Sequence, residues 1–193
     1  LKILSDTSVV ISEGEVLELS NDKDPTINED LYFEVLNGKT ASLFSAACQV
    51  GGISAHASQK EIESLKSFGT NFGMAFQLID DAIDYSSTNH SLGKNTGDDF
   101  KEGKITLPII LAYLRSNDEE KKFWKKTIIN LKQTKKDFNK AILIINKYNC
   151  IEDTIERAKH FANVAEDSLG IFKDNSYKNS LINLLQSSLN RLN

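Results

Sequence analysis

The chain has 193 residues, 40% of them hydrophobic and 26% charged, with a formal net charge of −4. That length allows one domain with a substantial core, and the acidic balance argues against a broad nucleic-acid-binding surface while leaving room for a local basic pocket. Cys48 and Cys150 have neither metal-ligand spacing nor the density of a disulfide framework, and read as reduced core residues that suit a reducing cytoplasm.

The chain opens at Leu1 directly in helical sequence, as a sequence entered in its middle would. Residues 1–21 read as the end of a helix, closed by the polar turn that leads to Pro25. A second helix is predicted over 28–54, with Glu29 and Asp30 favourably placed in its first turn. A third starts near Ser58, where Ser58 and Glu61 form a capping-box pattern. Along it Ile62, Leu65, Gly69, Phe72, Phe76, Ile79 and Ile83 alternate spacings of three and four, which draws one apolar stripe. Residues 86–104, rich in Gly, Asn, Ser and charge, read as a loop. Helices resume over 105–114, 118–131, 137–148, 151–172 and 177–192. With no strand alternation and no apolar run of the roughly 20 residues that span a bilayer, the expectation is all-α: a soluble antiparallel helical bundle joined by short loops.

The chemistry concentrates on the third helix. Gln77, Asp80, Asp81 and Asp84 fall on one face, close to the apolar stripe. Like charges within about one turn repel, so such a cluster needs solvent, cations or a function to offset its cost. A solvated acidic face is one reading. Magnesium is the other, because Mg²⁺ takes oxygen ligands and commonly bridges one or two carboxylates to a substrate's phosphates. Two features favour magnesium. The aspartates are embedded in apolar sequence from Gly73 to Ile83, and a loop follows that carries Lys94, Lys101 and Lys104 among glycines. Lysine is an effective point-charge phosphate binder.

The run from Gly73 to Tyr85 (GMAFQLIDDAIDY), followed by Leu92 to Asp99 (LGKNTGDD) and Glu102 to Pro108 (EGKITLP), resembles the second aspartate-rich region of trans-isoprenyl diphosphate synthases. Upstream, Ile11 to Val16 (ISEGEV) and Gly38 to Phe44 (GKTASLF) match the helix motifs that precede that region. The likeness is nearest to the bacterial medium- and long-chain type, such as octaprenyl diphosphate synthase. It implies a homodimeric, cytoplasmic transferase of the isoprenoid-synthase fold, of which residues 1–193 would form the C-terminal part of a single domain. The implied reaction condenses isopentenyl diphosphate onto an allylic prenyl diphosphate to make a polyprenyl diphosphate, for instance for quinone side chains.

Carried over, the resemblance gives Asp80, Asp81 and Asp84 as Mg²⁺-binding carboxylates. It gives Lys39, Lys94 and Lys104 as contacts to the allylic diphosphate, and Thr40 and Gln77 as dipoles at the reacting end. Asp98 would place metal-bound waters or orient Lys94. Lys39 and Lys104 also read as ordinary solvated lysines, and Thr40 and Gln77 as groups satisfying core hydrogen bonds. His56, His90 and His160 lack partners at ligand spacing, and the lysines from Lys121 to Lys136 read as a solvated helix face. The family's first aspartate motif with its paired arginines is not in this sequence, so the chain alone is expected to be inactive. Rival readings are a terpene cyclase of the same fold, a catalytically silent partner subunit of a heteromeric synthase, and a bundle used only for interaction.

Overall fold

Five of the ten α-helices described begin where a nearby side chain satisfies the first free backbone N–H groups, a signal carried by local sequence. Asn28 Oδ1 accepts from the Leu31 N–H at 2.8 Å, and Asn175 Oδ1 from the Lys178 N–H at 2.9 Å. Ser58 and Glu61 make the reciprocal capping box, as do Asn117 with Glu120 and Thr134 with Asp137. Pro108 occupies the first turn of its helix, where a missing N–H costs nothing.

The computed structural model describes residues 1–86 and 97–192, and among these there is no strand. Helix α1 (Lys2–Ser20) leads to α2 (Glu29–Leu36), which runs through a π-helical turn (Asn37–Ala41) into α3 (Ser42–Ser54). The long α4 (Gln59–Asp84) follows, then α5 (Asp98–Glu102) and α6 (Leu107–Arg115). Next come α7 (Asp118–Trp124) with a π turn (Lys125–Ile129), α8 (Lys135–Lys147), α9 (Cys150–Ser168) and α10 (Ser176–Leu189). The expectation of an all-α fold holds. The stretch 86–104 departs from it, since α5 lies inside the segment expected to be loop. Gly97 (φ 81°) and Gly103 (φ 72°) bracket α5 in the left-handed conformation that glycine adopts without penalty.

Helix α4 is the central strut. Its apolar stripe is buried at Phe72, Ile79 and Ile83, but Met74, Leu78 and Ala82 are buried as well. The helix is enclosed on more than one side because α3 packs on one flank and α9 on another. The Ser67 and Ser168 hydroxyls meet at 2.8 Å, so the start of α4 lies beside the end of α9 and the two run antiparallel. One part of the core surrounds the upper half of α4, with Phe68, Phe72, Ala165 and Leu185. The larger part gathers α2, the lower half of α4 and α6 to α9 around Trp124, whose indole N–H donates to Ser116 Oγ at 3.0 Å. Arg157 grips Glu29 through two bonds of 2.6 and 2.8 Å, tying α9 to the start of α2. Both cysteines are free thiols, with Cys150 buried.

Helix α1 rests on the body chiefly at Gly14, which meets the π turn at Gly38. Leu4, Val9, Val16 and Leu19 are exposed along it. Among the described residues no helix is long and apolar enough to cross a membrane.

Candidate active site

Four elements converge on a cavity of about 390 Å³ between α1, α2 with its π turn, the C-terminal half of α4, and the α5–α6 region. From the π turn come Lys39 and Thr40, which lie on the same face as Leu36 and Tyr32 one and two turns earlier. From α4 come Gln77, Asp80 and Asp81, and from the far wall Asp99, Glu102 and Lys104. Six of the residues singled out in the sequence therefore share one cavity: Lys39, Thr40, Gln77, Asp80, Asp81 and Lys104. Lys94 lies outside the described residues, as does His90.

A chain of polar contacts crosses the floor. Thr40 Oγ1 donates to Gln77 Oε1 at 3.3 Å, Gln77 Nε2 donates to Asp81 Oδ1 at 2.9 Å, and Tyr32 Oη donates to the other Asp81 oxygen. Asp81 is only 4% exposed. Burial raises its pKa from 3.8 to about 7, helped by the charges of Asp99 and Asp80, while the Tyr32 and Gln77 hydrogen bonds act in the opposite sense. Burial also raises Asp99, against the pull of Lys104.

The cationic groups are held by carboxylates. The Lys39 ammonium donates to Glu18 and lies 3.3 Å from Glu15, both on α1. Burial alone would lower its pKa, and these two carboxylates more than offset that. Lys104 sits 2.8 Å from Glu102 and 3.3 Å from Asp99, and the Glu102 contact in particular raises its pKa. Arg191, in the turn after α10, reaches Asp80 Oδ1 at 3.0 Å and lies 5.0 Å over the Phe76 ring.

Asp84, expected to bind Mg²⁺ with Asp80 and Asp81, is not among the residues that line the cavity. Its carboxylate accepts the backbone N–H groups of Asp98 (3.3 Å) and Asp99 (3.1 Å), closing the start of α5. Burial raises its pKa to about 6, followed by the charge of Asp99, and those N–H groups oppose the rise. Asp98 turns outward to Lys101 at 2.7 Å. Asp99, which Asp84 holds by its backbone, lines the cavity.

Among the described residues no three carboxylate, imidazole or thiolate groups close on a single point. The donors are spaced around the cavity instead. That suits Mg²⁺, which takes one or two carboxylates and completes its shell with waters and phosphate oxygens. The hard-oxygen donors Asp80 and Asp99 fit such an ion, and Lys39 and Lys104 line the same cavity.

The polyprenyl synthetase family model matches residues 1–145. The chain belongs to this family. Octaprenyl diphosphate synthase of Escherichia coli K12 is 37% identical over 191 residues, covering 99% of this chain and 59% of the relative. The all-trans-nonaprenyl-diphosphate synthase (geranyl-diphosphate specific) of Rhodobacter capsulatus is 34% identical over 192 residues, covering 100% of this chain and 58% of the relative. The crystal structure of polyprenyl synthase from Caulobacter crescentus, complexed with calcium and isoprenyl diphosphate, matches at a TM-score of 0.94 and 40% identity, over 100% of this chain and 59% of that one. The chain thus spans under two thirds of the length of these polyprenyl synthetase relatives.

Sequence reasoning missed Tyr32, Asp99, Glu18 and Arg191. Glu15 and Glu18 carried a usable signal, one helical turn apart beside Gly14. Tyr32 and Arg191 carried none, because they meet the aspartates only through contacts 49 and 111 residues apart in sequence.

Proposed function

We propose that this chain provides the allylic-diphosphate half of a trans-polyprenyl diphosphate synthase, which condenses isopentenyl diphosphate onto an allylic prenyl diphosphate. The observation that carries the proposal is one cavity lined by both Lys39 and Lys104 and by Asp80, Asp81 and Asp99. Asp80, with Asp99, would hold Mg²⁺. When bound, the ion would supply positive charge to the departing diphosphate. Lys39 and Lys104 bind the diphosphate oxygens, each kept protonated by its carboxylate partners. As the allylic carbon–oxygen bond breaks, negative charge grows on the diphosphate, and fixed lysines stabilise it without reorganising. Thr40 and Gln77 present dipoles toward the carbocation end, their orientation fixed by the Thr40–Gln77 and Gln77–Asp81 hydrogen bonds. Leu36, Val35 and Ile105 line the same cavity and exclude water that would capture the cation. Asp84 positions Asp99 through the α5 backbone.

The intact protein would act as a homodimer, and its products would be of the medium- or long-chain kind that serve as quinone side chains. The test is incorporation of labelled isopentenyl diphosphate by the protein carrying this chain at its natural length, with an allylic primer and Mg²⁺. Asp80→Ala should lower turnover about 100-fold or more, by analogy with loss of a single electrostatic stabiliser. Unchanged turnover would remove Asp80 from the site. Incorporation only when a second, different chain is added would favour the silent-partner reading.

A further inference from the structure

The α7–α8 hairpin, residues 118–147, carries nine lysines against four acidic residues, a formal +5 in a chain of net charge −4, which leaves −9 for the remainder. The segregation is structural as well as compositional. The hairpin of α7 and α8 is sewn by three contacts along one seam: Glu120 to Lys147 at 2.8 Å, Lys140 at 4.8 Å over the Phe123 ring, and Lys126 to Asp137 at 3.1 Å. Glu120 and Asp137 are thus taken up by the seam and Asp118 and Glu119 stay at the start of α7, while Lys122, Lys125, Lys132 and Lys136 stand exposed further along. Large apolar side chains are exposed on the same hairpin. Leu143 is 69% exposed and falls on the α8 stripe of Lys136, Lys140 and Lys147, while Ile129 and Leu131 are 39% and 43% exposed at the tip.

We infer that the α7–α8 hairpin is a docking surface for an anionic lipid bilayer. Exposed lysines draw the face to the negative surface, and their alkyl stems lie along it while Leu143, Ile129 and Leu131 enter the headgroup boundary. A nucleic acid fits the face less well. The segment has no arginine, and its Trp124 and Phe123 are buried, so no exposed aromatic platform is offered to a base. The inference is independent of the prenyl-transfer reading, since none of these residues lines the cavity.

The test uses the protein at its natural length and sedimentation with vesicles of phosphatidylcholine alone or with about a third phosphatidylglycerol. Binding should be at least about ten-fold tighter to the anionic vesicles and should fall steeply with added salt. Replacing Lys122, Lys125, Lys132 and Lys136 with Gln should reduce it about ten-fold or more, and Leu143→Ser should weaken it several-fold at a salt concentration that leaves the lysine contribution small. Circular dichroism and prenyl transfer in detergent should not change in either variant, which separates loss of docking from loss of fold. Equal binding to both vesicle types, undiminished binding of the lysine variant, or binding to a single-stranded homopolymer in preference to vesicles would overturn the inference.

Discussion

Arg191 and Asp80, a residue that lines the cavity, meet at 3.0 Å although 111 residues separate them in the chain. The guanidinium also lies over Phe76, so the C-terminal turn is pinned against the face of α4 that carries the candidate metal carboxylates. In the proposed role, Mg²⁺ arriving at Asp80 would compete with a cation already there. A partly exposed ion pair of this kind contributes at most about 1 kcal/mol. Arg191→Gln should therefore tighten Mg²⁺ binding by up to about five-fold when no diphosphate is present, as read by isothermal titration calorimetry. Weaker binding in the variant would show that Arg191 supports the ion rather than competing with it.

The buried Asp81 makes stability depend on pH with a defined sign. Its folded pKa of about 7 lies above the ordinary 3.8, so the folded state holds the proton more tightly than the unfolded chain. Its contribution is complete below the ordinary value and disappears as pH rises through about 7. Asp84, raised to about 6, acts in the same direction. In metal-free buffer the urea midpoint of the wild type should fall between about pH 5 and about pH 8, relative to Asp81→Asn, which cannot ionise. Added Mg²⁺ should flatten the difference because it favours the ionised carboxylates. Parallel curves for wild type and variant would mean that Asp81 is ionised throughout.

What could be read from sequence was what local chemistry decides. The Ser58–Glu61 box, the stripe from Ile62 to Ile83 and the acidic first turn at Glu29 and Asp30 each act within one or two turns, and each marks a helix that the structure contains. Helix α5 escaped because its five residues are too few for periodicity to register. The direction of Asp84 escaped for another reason. Spacing on a helix gives the face of a residue, but the Asp98 and Asp99 N–H groups that turn the carboxylate come from across a loop. Tyr32 and Arg191 are set wholly by tertiary packing.

That difference between Asp84 and Asp80 is testable. Asp84→Ala should leave two backbone N–H groups at the start of α5 without their acceptor and cost about 1–2 kcal/mol of stability, as lost helix caps do. Because α5 carries Asp99 into the cavity, Mg²⁺ affinity should fall with it. Asp84→Asn keeps one amide oxygen as an acceptor and should recover part of both losses. Asp80→Ala should instead leave the denaturation midpoint close to wild type while abolishing most turnover. Equal destabilisation by the two alanine variants would contradict separate roles.

The last prediction concerns the seat of α1. A Cβ added at Gly14 would lie 2.7 Å from the Lys39 backbone nitrogen and 2.9 Å from the Gly38 carbonyl carbon. Those are main-chain atoms of the π turn, which cannot rotate aside as the end of a side chain can. Gly14→Ala must therefore push α1 away, at a cost of about 1–3 kcal/mol typical of overpacking. The displacement also matters chemically, because Glu15 and Glu18, one residue and four residues further along α1, supply the carboxylates that hold Lys39. Diphosphate binding should weaken along with stability. Gly51→Ala is the matched control, since its Cβ would meet nothing within 4 Å. In the interior of α3 that change should leave stability unaltered or raise it by about 0.4–1 kcal/mol, through the restricted unfolded chain. Thermal melts of the two variants, with inorganic pyrophosphate titrated in the presence of Mg²⁺, decide the matter. If Gly14→Ala melts no lower than Gly51→Ala, α1 does not sit backbone to backbone on the π turn, and the proposed support of Lys39 from α1 fails with it.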